Sequence, residues 1–205
     1  MEAHMSSIYE KHEEEKHYTY ADLLEMDDDV RTEIVNGNLF IMSPAPLTIH
    51  QEISGRLYIR FANFLEGKPC RVFYAPVDVR LFPKEDNSDD TVVEPDIIVV
   101  CDPSKIDRRG CNGPPDLVIE IVSPSNSHRD RLLKFNLYLD AKVREYWIVY
   151  PEYNEIDVNI LGENRYDTQA YGINGPDTKK NKRLEEVIPV TVLPGLEIDV
   201  KDIFK

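Results

Sequence analysis

Residues 117–150, LVIEIVSPSNSHRDRLLKFNLYLDAKVREYWIVY, decide the fold class. The segment opens on LVIEIV (117–122), a β-branched run broken by one acid, Glu120. It closes on EYWIVY (145–150), a second apolar run. Near-continuous runs of this kind suit strands covered on both faces. Between them, Ser127-His-Arg-Asp130 has the spacing of a capping box. A helix is predicted from there to about Ala141, with Leu133, Leu137 and Tyr138 on one face.

Upstream the same reasoning extends the pattern. VVEPDIIVV (92–100) is another buried-type strand. Arg71–Phe82 alternates, with Val77, Val79 and Leu81 on one face and Asp78 and Arg80 on the other. The linkers between these runs, KEDNSDD (84–90) and DPSKIDRRGCNGPP (102–115), are polar and rich in turn formers. Thr48-Ile-His-Gln51 is a second capping-box pattern, opening a helix from about Ile49 to Glu66. Ile49, Ile53, Leu57, Phe61 and Leu65 recur every four residues and form its apolar face, and Gly67 ends it.

The core order is therefore helix, three strands, helix, strand. A strand run followed by a helical crossover implies an α/β fold, a mixed sheet flanked by helices. Asn36-Gly37 between apolar runs signals an N-terminal hairpin, and residues 155–171 suggest a C-terminal one. Thr19-Tyr-Ala-Asp22 caps a short helix ahead of them. Residues 1–17 read as a disordered charged arm, and 18–205 as a single domain.

Composition narrows the function. The chain has 205 residues, 41% hydrophobic and 30% charged, which fits one soluble domain. No stretch approaches the ~20 apolar residues of a membrane helix. The start, MEAHMSSIYEKHEEEK, has no apolar signal region. Cys70, Cys101 and Cys111 are odd in number and widely spaced, which excludes a disulfide framework or a four-cysteine zinc site as the organising device. A reducing cytoplasm is the expected location. The net charge of −14 argues against a chain that coats nucleic acid non-specifically. The excess is uneven, since residues 1–33 hold 11 acids and 3 bases and the remainder 27 acids and 21 bases. A locally basic cleft in the main body stays open.

Two acids stand where acids are costly. Asp96 and Glu120 each interrupt an apolar strand, and a carboxylate there needs a cation, a donor or an exposed strand end. Each alone is explained by an arginine partner or by a strand end in solvent. Together on neighbouring strands, they suit a divalent metal such as Mg²⁺ or Mn²⁺, which prefers carboxylates, carbonyls and water. The helix after Glu120 is basic, with His128, Arg129, Arg131 and Lys134. Asp130, Lys134 and Tyr138 share one of its faces. Lys134 either pairs with Asp130 at the surface or points at the carboxylates, and spacing alone weighs the two equally. Glu33, beside the hairpin, is by itself a surface acid. Gln51 by itself completes a helix cap.

These residues complete a family pattern. EIVNGNLFIMSP (33–44), EPDIIVV (94–100), PDLVIEIVSPSNSHRDRLLKFNLY (115–138) and REYWIVYP (144–151) resemble the Uma-type restriction-endonuclease family, also called domain of unknown function 820. The resemblance spans about residues 18–200. It implies the restriction-endonuclease-like fold of the PD-(D/E)xK nuclease superfamily. It also implies that Asp96 and Glu120 are the two acids of that motif and bind Mg²⁺, with Mn²⁺ as a substitute. The motif lysine belongs two residues after the second acid, where this chain has Val122. The resemblance implies that Lys134, from the following helix, substitutes as the third catalytic residue. Glu33 matches an accessory acidic position, and Gln51 is a second accessory candidate.

The implied activity is Mg²⁺-dependent hydrolysis of DNA phosphodiester bonds by an endonuclease. Arg129 and Arg131 are candidate phosphate contacts, as arginine suits bidentate binding. KKNKR (179–183) reads more simply as a solvated loop. A homodimer is expected because cutting both strands needs two sites. The competing reading is a lapsed nuclease fold serving as a nucleic-acid-binding or assembly module, favoured by the acidic charge and by Val122. A glycosidase reading of the acid pair finds no aromatic sugar platform, since Trp147 lies in an apolar strand.

Overall fold

The computed structural model describes residues 16–26, 31–41, 47–123, 128–174 and 184–205. In chain order the first elements are α1 (Tyr20–Leu23), β1 (Thr32–Val35), β2 (Asn38–Ile41), α2 (Thr48–Leu65), β3 (Arg71–Tyr74), β4 (Asp78–Arg80), β5 (Val92–Val93) and β6 (Ile97–Val100). There follow β7 (Gly110–Asn112), β8 (Leu117–Ile121), α3 (His128–Asp140), β9 (Glu145–Tyr150), β10 (Glu155–Leu161), β11 (Tyr166–Gly172), β12 (Val187–Pro189), β13 (Glu197–Asp199) and α4 (Val200–Ile203). The main sheet has the strand order β11-β10-β9-β8-β6-β3, and a second sheet has the order β2-β1-β5-β4-β7. In the main sheet β8 and β9 are parallel, joined through α3, and the other neighbours are antiparallel. This is the mixed sheet that the element order predicts.

Strand alternation sorts the core into two layers. Ile97, Val99, Leu117, Ile119, Trp147 and Val149 pack with α2 and the C-terminal segment. Ile98, Val100, Val118, Tyr146 and Ile148 pack with α3 and the second sheet. Both faces being covered is why β6, β8 and β9 read as unbroken apolar runs. From α2 the buried stripe is Ile53, Leu57, Phe61 and Leu65, each contributing ~1.5–3 kcal/mol relative to exposure. Ile49, expected on that stripe, is exposed, and His50 lies on it instead. A spacing of four overruns the helical turn by about 40° per step. The stripe therefore rotates off Ile49.

Two segments read as single strands each cross between the sheets. Arg71–Phe82 divides into β3 in the main sheet and β4 in the second. Val92–Val100 divides into β5 in the second sheet and β6 in the main one. Pro76 and Pro95 lie at the breaks, where a residue without an N–H forfeits no ladder bond. Short, polar β7 lies in a stretch read as linker and is held by parallel pairing with β4.

Turn and cap chemistry is mixed. Asn36 and Gly37 have φ of +50° and +77°, as a tight hairpin turn requires. Thr19 N and Oγ1 both donate to Asp22 Oδ2, at 2.8 and 2.9 Å. The box expected at Thr48–Gln51 does not form: Thr48 is already helical, and Leu47 is an N-cap without a side-chain bond. Ser127 lies outside the described residues, as does the arm apart from Lys16 and His17, which pair with Asp22 and Asp90.

Two of the three cysteines nevertheless pair. Cys70 and Cys101 form a disulfide across a sequence separation of 31. The β3–β6 register pairs Arg71 with Val100, so the residues just beyond them stand opposite each other. Linear spacing concealed a pair that strand register creates. Cys111 is free and buried.

At the start of β9, Glu145 is fully buried. It accepts from Trp147 Nε1 at 2.8 Å and from Val192 N at 2.9 Å, which ties the C-terminal segment to the main sheet. Glu145→Ala would strand both donors, and each buried unsatisfied donor costs about 1–3 kcal/mol. Urea unfolding should show a loss of about 2–4 kcal/mol. A loss below ~0.5 kcal/mol would show that the segment is held by other contacts.

Candidate functional site: three carboxylates around one lysine

The site lies where the chain passes from the second sheet to the main one. Asp96 stands just before β6. Extending the β6–β8 register, in which Ile97 faces Ile119, sets Asp96 opposite Glu120. Its carboxylate takes over from the ladder: Ile121 N donates to Asp96 Oδ2 at 2.7 Å. The Asp96 backbone carbonyl accepts from Ala75 N at 3.0 Å. His50, in the first turn of α2, places Nε2 3.3 Å from the same Oδ2.

Glu120 faces the other layer, towards α3. Its Oε1 accepts from Lys134 Nζ at 2.9 Å and from Tyr138 Oη at 2.7 Å. Lys134 Nζ also donates to Glu33 Oε1 at 2.9 Å. Glu33 is anchored in turn, because the same oxygen accepts from Glu94 N at 2.9 Å. Glu94 is paired with Arg31, whose Nε donates to Glu94 Oε2 at 2.7 Å. One ammonium from α3 thus joins an acid of the second sheet to an acid of the main sheet. Val122, on the same strand face as Glu120, packs into the apolar layer beside α3.

The electrostatics follow from burial. Burial pushes the Glu120 carboxyl up to about 7; Lys134 pulls it down, and Asp96 and Glu33 push it further up. Burial alone would lower the Lys134 ammonium, but Glu120 and Glu33 hold it well above its ordinary range. Burial pushes the Tyr138 phenol up, and Glu120 adds to that, so Tyr138 is a proton donor here and not a phenolate. For His50, burial lowers the imidazole, while the bond to Asp96 and the charges of Asp96 and Glu120 outweigh it and leave it raised.

Two carboxylates, Glu33 and Glu120, thus share one ammonium, and the third, Asp96, is held by Ile121 N and His50. Among the described residues, Asp96 Oδ1 and Glu120 Oε2 accept no hydrogen bond. Their side chains are 19% and 13% exposed, so both remain reachable from solvent. No group of three or more His, Cys, Asp or Glu among the described residues forms a ready-made metal cage. Two carboxylates with open oxygens still fit Mg²⁺, which binds through one or two carboxylates and keeps its waters.

Asp96, Glu120, Lys134 and Glu33 are therefore brought together. Gln51 is not: it is exposed on α2, one residue round from His50. Arg131 stands near the Tyr150 hydroxyl, which burial pushes up to about 12 and Arg131 pulls down. The Arg129 side chain and KKNKR lie outside the described residues. His50 and Tyr138 are the site's unforeseen members. Tyr138 was visible as the residue one turn beyond Lys134, and His50 as the polar residue on an apolar stripe.

Residues 18–201 match the model of the Uma2 family, described as "Putative restriction endonuclease". The chain belongs to the Uma2 family. A solved structure from Anabaena variabilis, described as a "putative nuclease belonging to DUF820", is similar to this Uma2 chain with a TM-score of 0.67 at 20% identity. That likeness covers 91% of this chain and 97% of the other, and it establishes a shared fold. An uncharacterized protein of Synechocystis sp. is 30% identical over 129 residues. The match covers 62% of this chain and 64% of that relative's length.

The raised Glu120 carboxyl has a consequence for the Uma2 chain without added metal. Its pKa rises from an ordinary 4.5 to about 7 on folding, so between these values the folded state binds the extra proton. Stability should then fall as pH rises through that window. Melting curves from pH 4.5 to 7 should show this fall in the parent, and Glu120→Gln should flatten it. Parallel slopes would show that Glu120 does not titrate there.

Proposed function

We propose that this Uma2 chain is a Mg²⁺-dependent endonuclease that hydrolyses phosphodiester bonds in DNA. The observation that supports this most is the pairing of Asp96 and Glu120 at one strand junction, each with an oxygen that accepts no hydrogen bond among the described residues, and with Lys134 2.9 Å from Glu120. Capping one backbone N–H and pairing with one lysine do not by themselves require two carboxylates at the same junction. Apolar residues of similar volume would be cheaper to bury than charges.

In this reading Asp96 and Glu120 hold the cation, and Mn²⁺ substitutes for Mg²⁺. Bound there, the cation supplies a lowered pKa for a coordinated water and polarises the phosphate. Lys134 draws Glu120 towards its ionised form and places a fixed positive charge beside the position of the reacting phosphate. Glu33 and Tyr138 hold Lys134 and Glu120 in place. Arg129 and Arg131 contact flanking phosphates. Two copies act as a homodimer so that both strands are cut. No described helix is long and apolar enough to cross a membrane.

Cleavage of plasmid DNA in Mg²⁺ or Mn²⁺ tests the reading, together with calorimetric titration of either metal. Asp96→Asn and Glu120→Gln should lose metal binding and cleavage while remaining folded. Lys134→Ala should keep the metal and lose turnover by about 10²-fold or more. Parent protein that binds no metal, with or without duplex DNA present, would overturn the nuclease reading. A lapsed binding module would take its place, the reading favoured by Val122 at the motif's lysine position and by the net charge of −14.

A further inference from the structure

The first turn of α2 delivers one side chain to the carboxylates. His50 is only 9% exposed. Its Nε2 approaches Asp96 Oδ2 at 3.3 Å, and Ile121 N donates to that same oxygen at 2.7 Å. An ionised carboxylate can only accept, so the hydrogen between the two lies on Nε2. The partner thus assigns the tautomer.

Both supports of Asp96 are rigid. The Ile121 amide belongs to β8, in the interior of the main sheet. The His50 ring rides on α2, which is locked by Ile53, Leu57, Phe61 and Leu65. With two donors converging on Oδ2, rotation of the carboxylate would break both bonds. Oδ1 is the oxygen left over.

The other ring nitrogen sharpens the point. His50 Nδ1 is buried and has no hydrogen-bond partner among the described residues. A histidine kept for structure alone normally satisfies both nitrogens. Here one nitrogen is left orphaned on an otherwise apolar stripe, where a leucine would be cheaper to bury. The contact with Asp96 is the ring's ion-pair contact.

We propose that His50 is a positioning residue for Asp96: it donates Nε2–H to Oδ2 and so presents Oδ1 to the cation. This rests on Asp96 and Glu120 being cation ligands, as proposed above. It is the arrangement in which a histidine outside the coordination sphere fixes the ligand itself, and loss of such a partner typically costs 10–100-fold in metal affinity.

The test is Mn²⁺ titration of the parent, His50→Ala, His50→Gln and Asp96→Asn, with melting temperatures measured beside it. Glutamine can place its amide N–H close to the position of Nε2. His50→Ala should weaken Mn²⁺ binding about 10–100-fold, and His50→Gln should restore most of it at a similar melting temperature. Parent affinity in His50→Ala would overturn the proposal while leaving the cation site standing. So would an equal loss in both His50 variants. If the parent itself binds no Mn²⁺, the cation reading fails and takes with it the presentation of Oδ1. The His50–Asp96 bond then still has its own readout, ¹⁵N spectra of the imidazole in metal-free protein. On the neutral ring the hydrogen should sit on Nε2, and Asp96→Asn should shift that resonance. A hydrogen on Nδ1 would overturn the positioning role whatever the metal result.

Discussion

The structure depends on how it keeps three carboxylates together out of bulk water. Glu33, Asp96 and Glu120 come from three different strand regions, and their mutual repulsion would push them apart. Lys134 counters this by donating at 2.9 Å to two of them at once. Its ammonium is the ion-pair link from α3 to both sheets at this point. Without it, two acids would face each other across the junction with no cation between them.

That junction exists because two chain segments change sheets. VVEPDIIVV serves the second sheet with its first residues and the main sheet with its last. Pro95 sits between, contributes no N–H, and frees its neighbours from the ladder. Asp96 then uses its side chain where a backbone carbonyl would otherwise stand and takes the Ile121 N–H. Local chain chemistry and site geometry are therefore one feature: the break in the strand is what turns a carboxylate towards Glu120.

Much of this was legible in the linear chain, and the failures have specific causes. The α3 segment, the β8 and β9 runs and the Asn36-Gly37 turn are local patterns, and each formed where it was read. Asp96 and Glu120 were conspicuous as acids in apolar company. The spacing of Lys134 left two partners equally open, and only the packing of α3 set its ammonium on Glu120. Gln51 stood out in the sequence as part of a capping pattern, and His50 opens the same helix beside it. The phase of α2 against the sheet, which is a packing property, turned His50 inward and Gln51 outward. Strand register likewise set Cys70 beside Cys101 despite their separation.

By itself, the sequence determined the fold class, the α2 and α3 helices and the two strand acids, because periodicity and the cost of burying charge are written residue by residue. Only the tertiary structure decided which groups meet. Lys134 bridging Glu33 and Glu120, His50 reaching Asp96, and Tyr138 closing on Glu120 are contacts between residues 14 to 101 positions apart. Such contacts depend on register, helix phase and the crossing of two sheets, and no local spacing rule encodes these.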